Sequence, residues 1–218
     1  MIIKEWSRRL LPPIAIDAGR WLLRSGAQKP VRLGTRVRFS YGRYFLTCDS
    51  SHHLPAVLQH FPNFGRNLAD VVSALEAVAP RVIDIGANIG DTALLLACFA
   101  PGARVLCIEG DARFMPDLRS NTSQIEGVTI AQAIVSDRTA QVKGSFEKKH
   151  GTAHFVPCDG GDLLETQTLD DLLQSYPEFA FPIVIKIDTD GFETAILRGA
   201  KGVLASARPV LFYEWHPD

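Results

Sequence analysis

The stretch Arg81–Ala100, which reads RVIDIGANIGDTALLLACFA, decides the fold. An apolar run over residues 82–85 carries one acid, Asp84, a glycine-containing turn follows at Gly86–Gly90, and a second apolar segment begins at Asp91. A parallel strand that ends in glycines and continues directly into a helix brings backbone N–H groups and a helix N-terminus to one point. The stretch therefore predicts a strand, a turn that a ligand can approach closely, and a helix.

The ligand of this turn is constrained by its acid. Dinucleotide-binding turns follow the pattern G-x-G-x-x-G, whereas Gly86, Asn88 and Gly90 here leave the second glycine of that pattern missing. Asp84 would repel a diphosphate and attract an ammonium or sulfonium group, either directly or through water. We therefore expect Asp84, Gly86, Asn88 and Gly90 to contact a cationic cofactor, and a nicotinamide-dependent dehydrogenase is disfavoured.

Strands alternate with helical segments after residue 81, which predicts a doubly wound, mainly parallel sheet of the Rossmann-like α/β class with strand order 3-2-1-4-5. The segment Arg138–Gln167 is less regular, and we expect one short extra strand in it at His154–Pro157. The expected strands of the main sheet are Val82–Ile85, Arg104–Glu109, Val128–Ile134, Ile183–Asp188 and Val210–Trp215, and the expected helices begin at Asp91, Asp111, Leu169 and Glu193.

The second predicted strand also ends in an acid. Glu109, followed by Gly110, lies where a carboxylate can accept hydrogen bonds from both hydroxyls of a ribose. A ribose at Glu109 and a charged amino acid end at Asp84 together fit S-adenosylmethionine, whereas NAD fits only the first. We therefore predict S-adenosylmethionine as the cofactor.

The fourth predicted strand ends at Asp188, which should face the same crevice as the glycine turn because strands 1 and 4 flank the switch point of the sheet. Asp188 is the first candidate for a general base, and for a cofactor contact as well. Lys186 should point to the same face as Asp188, either acting in catalysis or pairing with a carboxylate. Asp190, Glu214 and His216 are weaker base candidates. No metal is predicted, because Asp188 and Asp190 lack a clear third ligand.

The N-terminal quarter of the chain is basic: Met1–Arg43 contains ten Lys or Arg residues and two acids, while the whole chain has a net charge of −1. Residues 1–28 look helical in two pieces, and Val31–Cys48 looks like a hairpin that turns at Tyr41-Gly42. The basic face can be a solvated surface, a peripheral membrane contact or a homo-oligomer contact, and the sequence leaves these open. We divide the chain into an extension, 1–60, and a cofactor-binding domain, 61–218, with a further helix at Leu68–Val78.

The bulk composition is that of a globular protein, with 46% hydrophobic and 22% charged residues among 218. The four cysteines, Cys48, Cys98, Cys107 and Cys158, form no C-x-x-C pair, which favours reduced thiols and a reducing compartment. No signal peptide and no apolar run long enough to span a bilayer are apparent. We therefore expect a cytoplasmic protein.

Several motifs in one order resemble the FkbM-type S-adenosylmethionine-dependent methyltransferases. The similar segments run from FPNFGRNL to FYEWHP, over most of the chain, and Asn121 is a further matching position. They are Phe61–Leu68, Val82–Ala97, Val105–Glu109, Ala133–Asp137, Thr168–Leu173, Ile185–Ala200 and Phe212–Pro217.

The resemblance implies a class I methyltransferase fold and, most commonly, O-methylation of a sugar or another small-molecule hydroxyl. We expect no nucleic acid as partner. Two departures from the family pattern stand out: Glu109 is followed by Gly110 where proline is frequent, and Asp190 replaces a glutamate. The C-terminal hairpin of class I methyltransferases is not apparent after the fifth strand. A non-catalytic cofactor-binding or assembly module of the same fold is therefore the alternative.

Overall fold

The computed structural model of the protein describes residues 31–75, 77–149 and 151–213. The two helical pieces predicted within residues 1–28, and the candidates Glu214 and His216, lie outside these residues. The described strands are β1 (Val31–Leu33), β2 (Arg36–Tyr41), β3 (Tyr44–Asp49), β4 (Arg81–Ile85), β5 (Arg104–Glu109), β6 (Val128–Gln132), β7 (Ile134–Val135), β8 (Ala140–Lys149), β9 (Thr152–Pro157), β10 (Asp162–Gln167), β11 (Val184–Ile187) and β12 (Val210–Tyr213).

Seven α-helices accompany these strands in the described part of the chain. They are α1 (Leu54–His60), α2 (Arg66–Ala74), α3 (Asp91–Phe99), α4 (Met115–Thr122), α5 (Leu169–Leu172), α6 (Glu193–Arg198) and α7 (Lys201–Ala207). Helix α2 begins after Gly65, which adopts φ +73°, and it ends at Ala74 rather than at Val78 as the sequence suggested. The residue Val78 is 98% exposed, so no apolar contact would support a longer helix.

The central sheet has five parallel strands in the order β12-β11-β4-β5-β6. This is the order 5-4-1-2-3 of a class I methyltransferase sheet, and it confirms the predicted fold class. Two expected strands are shorter than predicted: the third ends at Gln132, and the fourth spans Val184–Ile187. The carboxyl ends of β4, β5 and β11 lie side by side, which is where ligands bind in open α/β sheets.

Alternating side chains of the central strands serve two separate cores. Val82 and Val105 pack on one face, together with α2, α3 and α4. Ile83 and Leu106 pack on the other face, with α5, α6 and α7. Both faces of the parallel sheet are therefore covered, and this explains why the strands read as almost continuous apolar runs. Asp84, one residue after Ile83, points to the face that α3 covers.

The N-terminal strands form a small antiparallel sheet of their own, in the order β1-β2-β3. Tyr41 pairs with Tyr44, so the predicted hairpin is present and its turn is formed by Gly42 and Arg43, one residue later than expected. Phe39 and Leu46 of this sheet are buried in the same core as Leu94 of α3. The small sheet thus packs directly on the helix that follows the glycine turn.

A third sheet, in the order β7-β10-β8-β9, occupies the segment that the sequence left irregular. The strands β8 and β9 form an antiparallel hairpin, and the short strand predicted at His154–Pro157 is part of β9, which begins at Thr152. β10 returns beside β8 and pairs with β7 in parallel. The predicted strand is therefore present, but it belongs to an inserted four-stranded sheet whose other strands were not predicted.

Within the described ranges, no helix has the length and apolar character that crossing a lipid bilayer requires.

Candidate active site

Three side chains meet at the carboxyl ends of β4 and β11. Lys186 Nζ lies 3.0 Å from Asp84 Oδ1 and 3.1 Å from Asp188 Oδ2. The contact follows from the strand register, because Lys186 stands beside Asp84 in the ladder and points to the same face as Asp188. The predicted pairing of Lys186 with a carboxylate is thus what the structure shows.

The electrostatics of this cluster fix the charge of its lysine. Burial alone would lower the pKa of Lys186, but the carboxylates of Asp84, Asp188 and Asp91 outweigh it and raise the pKa above its ordinary value. Lys186 therefore remains an ammonium group at neutral pH. It can orient a carboxylate or stabilise negative charge, but it cannot accept a proton.

Asp84 is completely buried, yet only one of its carboxylate oxygens has a partner. Oδ1 accepts the hydrogen bond from Lys186, whereas Oδ2 has none among the described residues. A buried, unpartnered carboxylate oxygen is costly unless another group supplies the missing contact. Asp188, by contrast, retains 46% of its side-chain exposure and is open to a substrate.

Asp91 belongs to this cluster, although the sequence offered it only as the start of a helix. It is the first residue of α3, and this helix covers the face of the sheet on which Asp84 lies. Burial, with the nearby charges of Asp84 and Asp188, raises the pKa of Asp91 to about 6, although Lys186 opposes the shift. Two carboxylates contact the single ammonium group, and the charge of Asp91 acts on the same cluster, which leaves it with an excess of negative charge.

The glycine turn packs tightly against the end of β11. A Cβ atom added to Gly86, which has φ +83°, would lie 2.0 Å from the carbonyl oxygen of Asp188. Only glycine allows the turn and Asp188 to approach so closely. Asn88 is also left-handed, with φ +48°, and its backbone N–H points to Glu109.

Glu109 is held by main-chain donors from two loops. Its Oε2 accepts from the N–H of Asn88 at 2.8 Å, and its Oε1 accepts from the N–H of Asp111 at 2.8 Å. Burial raises the pKa of Glu109 to about 6, although these two hydrogen bonds oppose the shift. The carboxylate is therefore fixed at the end of β5, beside the glycine turn.

The inserted sheet lies against the same loops. Gly110 packs on it, since an added Cβ would lie 3.1 Å from both Ile134 and Phe146. Arg113, which forms an ion pair with Asp111, also donates to the carbonyl oxygen of Phe146 at 3.1 Å. The β8–β9 hairpin is therefore next to the site, a position that no pattern in the sequence indicated.

An aromatic chain links that hairpin to the turn after β11. The ring of Phe155 lies 5.6 Å from that of Phe146 and 5.7 Å from that of Phe192. In the turn itself, the carboxylate of Glu193 accepts hydrogen bonds from the N–H groups of Thr189 and Gly191. The segment that follows Asp188 is thereby held from both sides.

Among the described residues, neither His60 nor the weaker base candidate Asp190 forms an ion pair or a hydrogen bond with this cluster. His60 is exposed and its ring bonds to the carbonyl of Ala56 in its own helix. Asp190 is exposed, with φ +55°. In the described part of the chain, no three His, Cys, Asp or Glu side chains come together in a way that could hold a metal ion. A cavity of about 190 Å³ lies near the opposite ends of the strands, lined by residues that include Pro80 and Ala100.

The parallel sheet, the glycine turn and the acids beside it define the class of protein: a Rossmann-like methyltransferase fold. The model of the methyltransferase FkbM domain matches residues 84–218, which is more than half of the chain, and the protein belongs to this family. The family assignment confirms S-adenosylmethionine as the cofactor.

Individual relatives are more distant. The chain is 27% identical over 157 residues to a protein named 2-O-methyltransferase NoeI from Sinorhizobium fredii, a match that covers 63% of this chain and 64% of the relative. The match thus spans slightly less than two thirds of that relative's length.

Solved structures show lower identity. A S-adenosylmethionine-dependent methyltransferase from Agrobacterium tumefaciens is 12% identical, with a TM-score of 0.45, over 83% of this chain and 50% of the other. A precorrin-6y C5,15-methyltransferase from Geobacter metallireducens is 14% identical, with a TM-score of 0.41, over 67% of this chain and 61% of the other.

The described residues fit the cofactor of the family. Asp84 Oδ2 is a buried acceptor without a partner, and the surplus of carboxylates around Lys186 suits a ligand with positive charge. Gly86 allows the glycine turn to lie directly against the backbone of Asp188, so that the turn and this acid border the same site.

Proposed function

We propose that this protein is an S-adenosylmethionine-dependent O-methyltransferase that acts on a hydroxyl group of a small molecule or sugar. The observation that supports the proposal best is the cluster in which Asp84 and Asp188 share Lys186 beside the glycine turn. It combines a buried acid for a cationic cofactor with a half-exposed acid for an acceptor. The relative named 2-O-methyltransferase supports the choice of oxygen as the acceptor atom.

The residues of the cofactor site divide by what they can bind. Asp84, with Asp91, provides negative charge for the ammonium and sulfonium groups, and Glu109 provides acceptors for the ribose hydroxyls. Gly86, Asn88 and Gly90 form the turn beside them, and Gly110 lets the hairpin approach. When bound, S-adenosylmethionine supplies an electrophilic methyl group.

The protein's own residues contribute to the reaction in two ways: they position the acceptor, and they take up its proton. Asp188 takes up the proton of the acceptor hydroxyl, a step that general-base catalysis makes about 10²–10⁴ times faster. Lys186 is a cation throughout and holds one oxygen of Asp188, so that the other oxygen meets the hydroxyl. Fixing the acceptor at this carboxylate contributes the larger part of the acceleration, because proximity can be worth ~7–11 kcal/mol.

The test begins with binding. Calorimetry with S-adenosylmethionine, S-adenosylhomocysteine and NAD should show binding of the first two and not of NAD. Binding of NAD alone would overturn the proposal. Transfer of a radiolabelled methyl group to a panel of saccharides and small hydroxylated compounds then separates an enzyme from a non-catalytic module, which binds the cofactor and methylates nothing.

Asp188→Asn tests the base. The substitution should lower turnover by about 10²-fold or more and change the affinity for S-adenosylhomocysteine by less than about threefold. Asp190→Asn, in the same turn, is the matched comparison and should retain turnover. Equal losses of turnover and affinity in Asp188→Asn would reassign Asp188 to cofactor positioning.

A further inference from the structure

His52 contacts both the glycine turn and the β8–β9 hairpin from a distant part of the chain. It lies in the connection between β3 and α1, and its imidazole is partly buried. Its Nδ1 accepts a hydrogen bond from the N–H of Leu54 at 3.1 Å, and its Nε2 lies 3.2 Å from Asn88 Oδ1. The contact with Asn88 joins residues that are 36 positions apart.

Each donor in the series of hydrogen bonds from Leu54 through His52 and Asn88 to Gly151 faces an acceptor. Because the N–H of Leu54 can only donate, Nδ1 of His52 acts as the acceptor and the ring proton resides on Nε2. His52 Nε2 then donates to Asn88 Oδ1, and the amide nitrogen of Asn88 donates to the carbonyl oxygen of Gly151 at 3.1 Å. The same chain of bonds fixes the orientation of the Asn88 amide.

Asn88 transmits this contact to the cofactor site. Its side chain is held by His52 and Gly151, and its backbone N–H donates to Glu109 Oε2 at 2.8 Å. A left-handed φ of +48° is unfavourable for any residue with a side chain, although asparagine tolerates it best. The side-chain bonds therefore help to hold the backbone in the one conformation that serves Glu109.

The turn of the β8–β9 hairpin rests directly on His52. A Cβ atom at Gly151, which has φ +98°, would lie 2.8 Å from the imidazole ring. The first strand of the hairpin is held separately, by the hydrogen bond from Arg113 to Phe146. Both attachments lead to the loops that follow β4 and β5: the first loop carries Asn88, and the second begins directly after Glu109.

We propose that His52 is a positioning residue of the cofactor site: it holds Asn88 so that the glycine turn, Glu109 and the hairpin turn form one preorganised unit. His52 itself touches no reacting atom. The inference rests on the proposed function, since it assigns to His52 a part in binding the cofactor. It predicts that the loss of His52 weakens cofactor binding more than it weakens the fold.

The first test measures the affinity for S-adenosylhomocysteine by calorimetry. His52→Ala should weaken binding about 3- to 10-fold, the range expected for one lost hydrogen bond. His52→Gln should restore affinity to within about threefold of wild type, because its amide N–H can reach Asn88 Oδ1. The matched control is His60→Ala, in the adjacent helix, which should bind like wild type.

Two further measurements separate positioning from simple stabilisation. In hydrogen–deuterium exchange, S-adenosylhomocysteine should protect the amides of residues 140–157 in wild type and protect them less in His52→Ala, at a similar melting temperature. In a double-mutant cycle, His52→Ala should add little to the loss of affinity in Asn88→Ala, because both substitutions break the same contact.

Each result decides between outcomes. Wild-type affinity in His52→Ala, or fully additive losses with Asn88→Ala, would overturn the inference and leave the proposed function standing. A lower melting temperature with unchanged affinity would also overturn it. If wild type itself bound neither S-adenosylmethionine nor S-adenosylhomocysteine, the proposed function would fail, and the inference with it.

Discussion

Replacing Lys186 with methionine tests the buried charge cluster most directly. The substitution keeps the length of the side chain and removes the ammonium group that lies 3.0 Å from Asp84 and 3.1 Å from Asp188. Asp188 is half exposed and can turn to water, but Asp84 is fully buried and cannot. Removing one partner of a buried ion pair typically costs about 3–5 kcal/mol.

The loss of stability that an unpaired Asp84 can cause has an upper limit, and this limit depends on pH. A buried carboxylate without compensation takes up a proton instead, and this costs an ordinary aspartate about 4 kcal/mol at pH 7 and about 1.5 kcal/mol at pH 5. In the variant the native state binds a proton that the unfolded state lacks, so the loss of stability grows as the pH rises. We expect Lys186→Met to lose about 4 kcal/mol at pH 7 and less than half of that at pH 5.

Urea unfolding at several pH values measures this loss. In thermal unfolding at pH 7, the melting temperature should fall by about 8–16 °C, since each kcal/mol of lost stability corresponds to about 2–4 °C in a chain of this size. Lys201→Met, at an exposed position, is the control and should have little effect. The double variant Lys186→Met/Asp84→Asn should recover most of the loss, because it removes both charges. A loss as small as that of the control, or one that does not change with pH, would refute the reasoning.

Three further predictions concern single features of the site. The pKa values of Asp91 and Glu109 are raised to about 6, so their contribution to the stability of the cofactor-free protein should fall as the pH rises from about 4 to about 6. Because these carboxyl groups are partly protonated near pH 6, binding of the cationic S-adenosylmethionine at that pH should release protons, which calorimetry in buffers of different ionisation enthalpy detects. Asp91→Asn should reduce the number of protons released. Equal binding heats in all buffers would contradict the raised pKa values. Gly86→Ala should cost about 2–4 kcal/mol in urea unfolding because its Cβ meets the backbone of Asp188, whereas Gly102→Ala, also left-handed but in open space, should cost about 1 kcal/mol. Similar losses in the two glycine variants would show that the close approach is unimportant.

The central sheet could be predicted from the sequence because its signal is local. The strands β4, β5 and β11 are each a short apolar run followed by a helix, and Asp84, Glu109 and Asp188 lie within or directly after such a run. The inserted sheet carries no such signal. The strands β9 and β10 are mostly half exposed, with Phe155 and Thr166 as isolated buried positions, so neither alternation nor an apolar run marks them.

The residues of the candidate site likewise differ in whether the local sequence marks them. Asp84, Glu109 and Asp188 were visible because each follows or interrupts an apolar strand, and the structure places all three at one edge of the sheet. Asp91 was missed because its contribution depends on how α3 packs over Asp84. His52 was missed because a contact across 36 positions leaves no trace in the sequence around either residue.

Asn121 connects the small N-terminal sheet to the glycine turn that follows β4. Its side-chain nitrogen donates both to Thr47 of β3 and to Ile89 of the glycine turn, and its oxygen accepts from the N–H of Thr47. Deleting the first three strands would remove both hydrogen bonds between this 2%-exposed amide and Thr47, which costs about 1–3 kcal/mol. In a protein truncated to begin at Leu54, the glycine turn would therefore be held less firmly, and kinetic measurements on it would report on the truncation rather than on the intact protein.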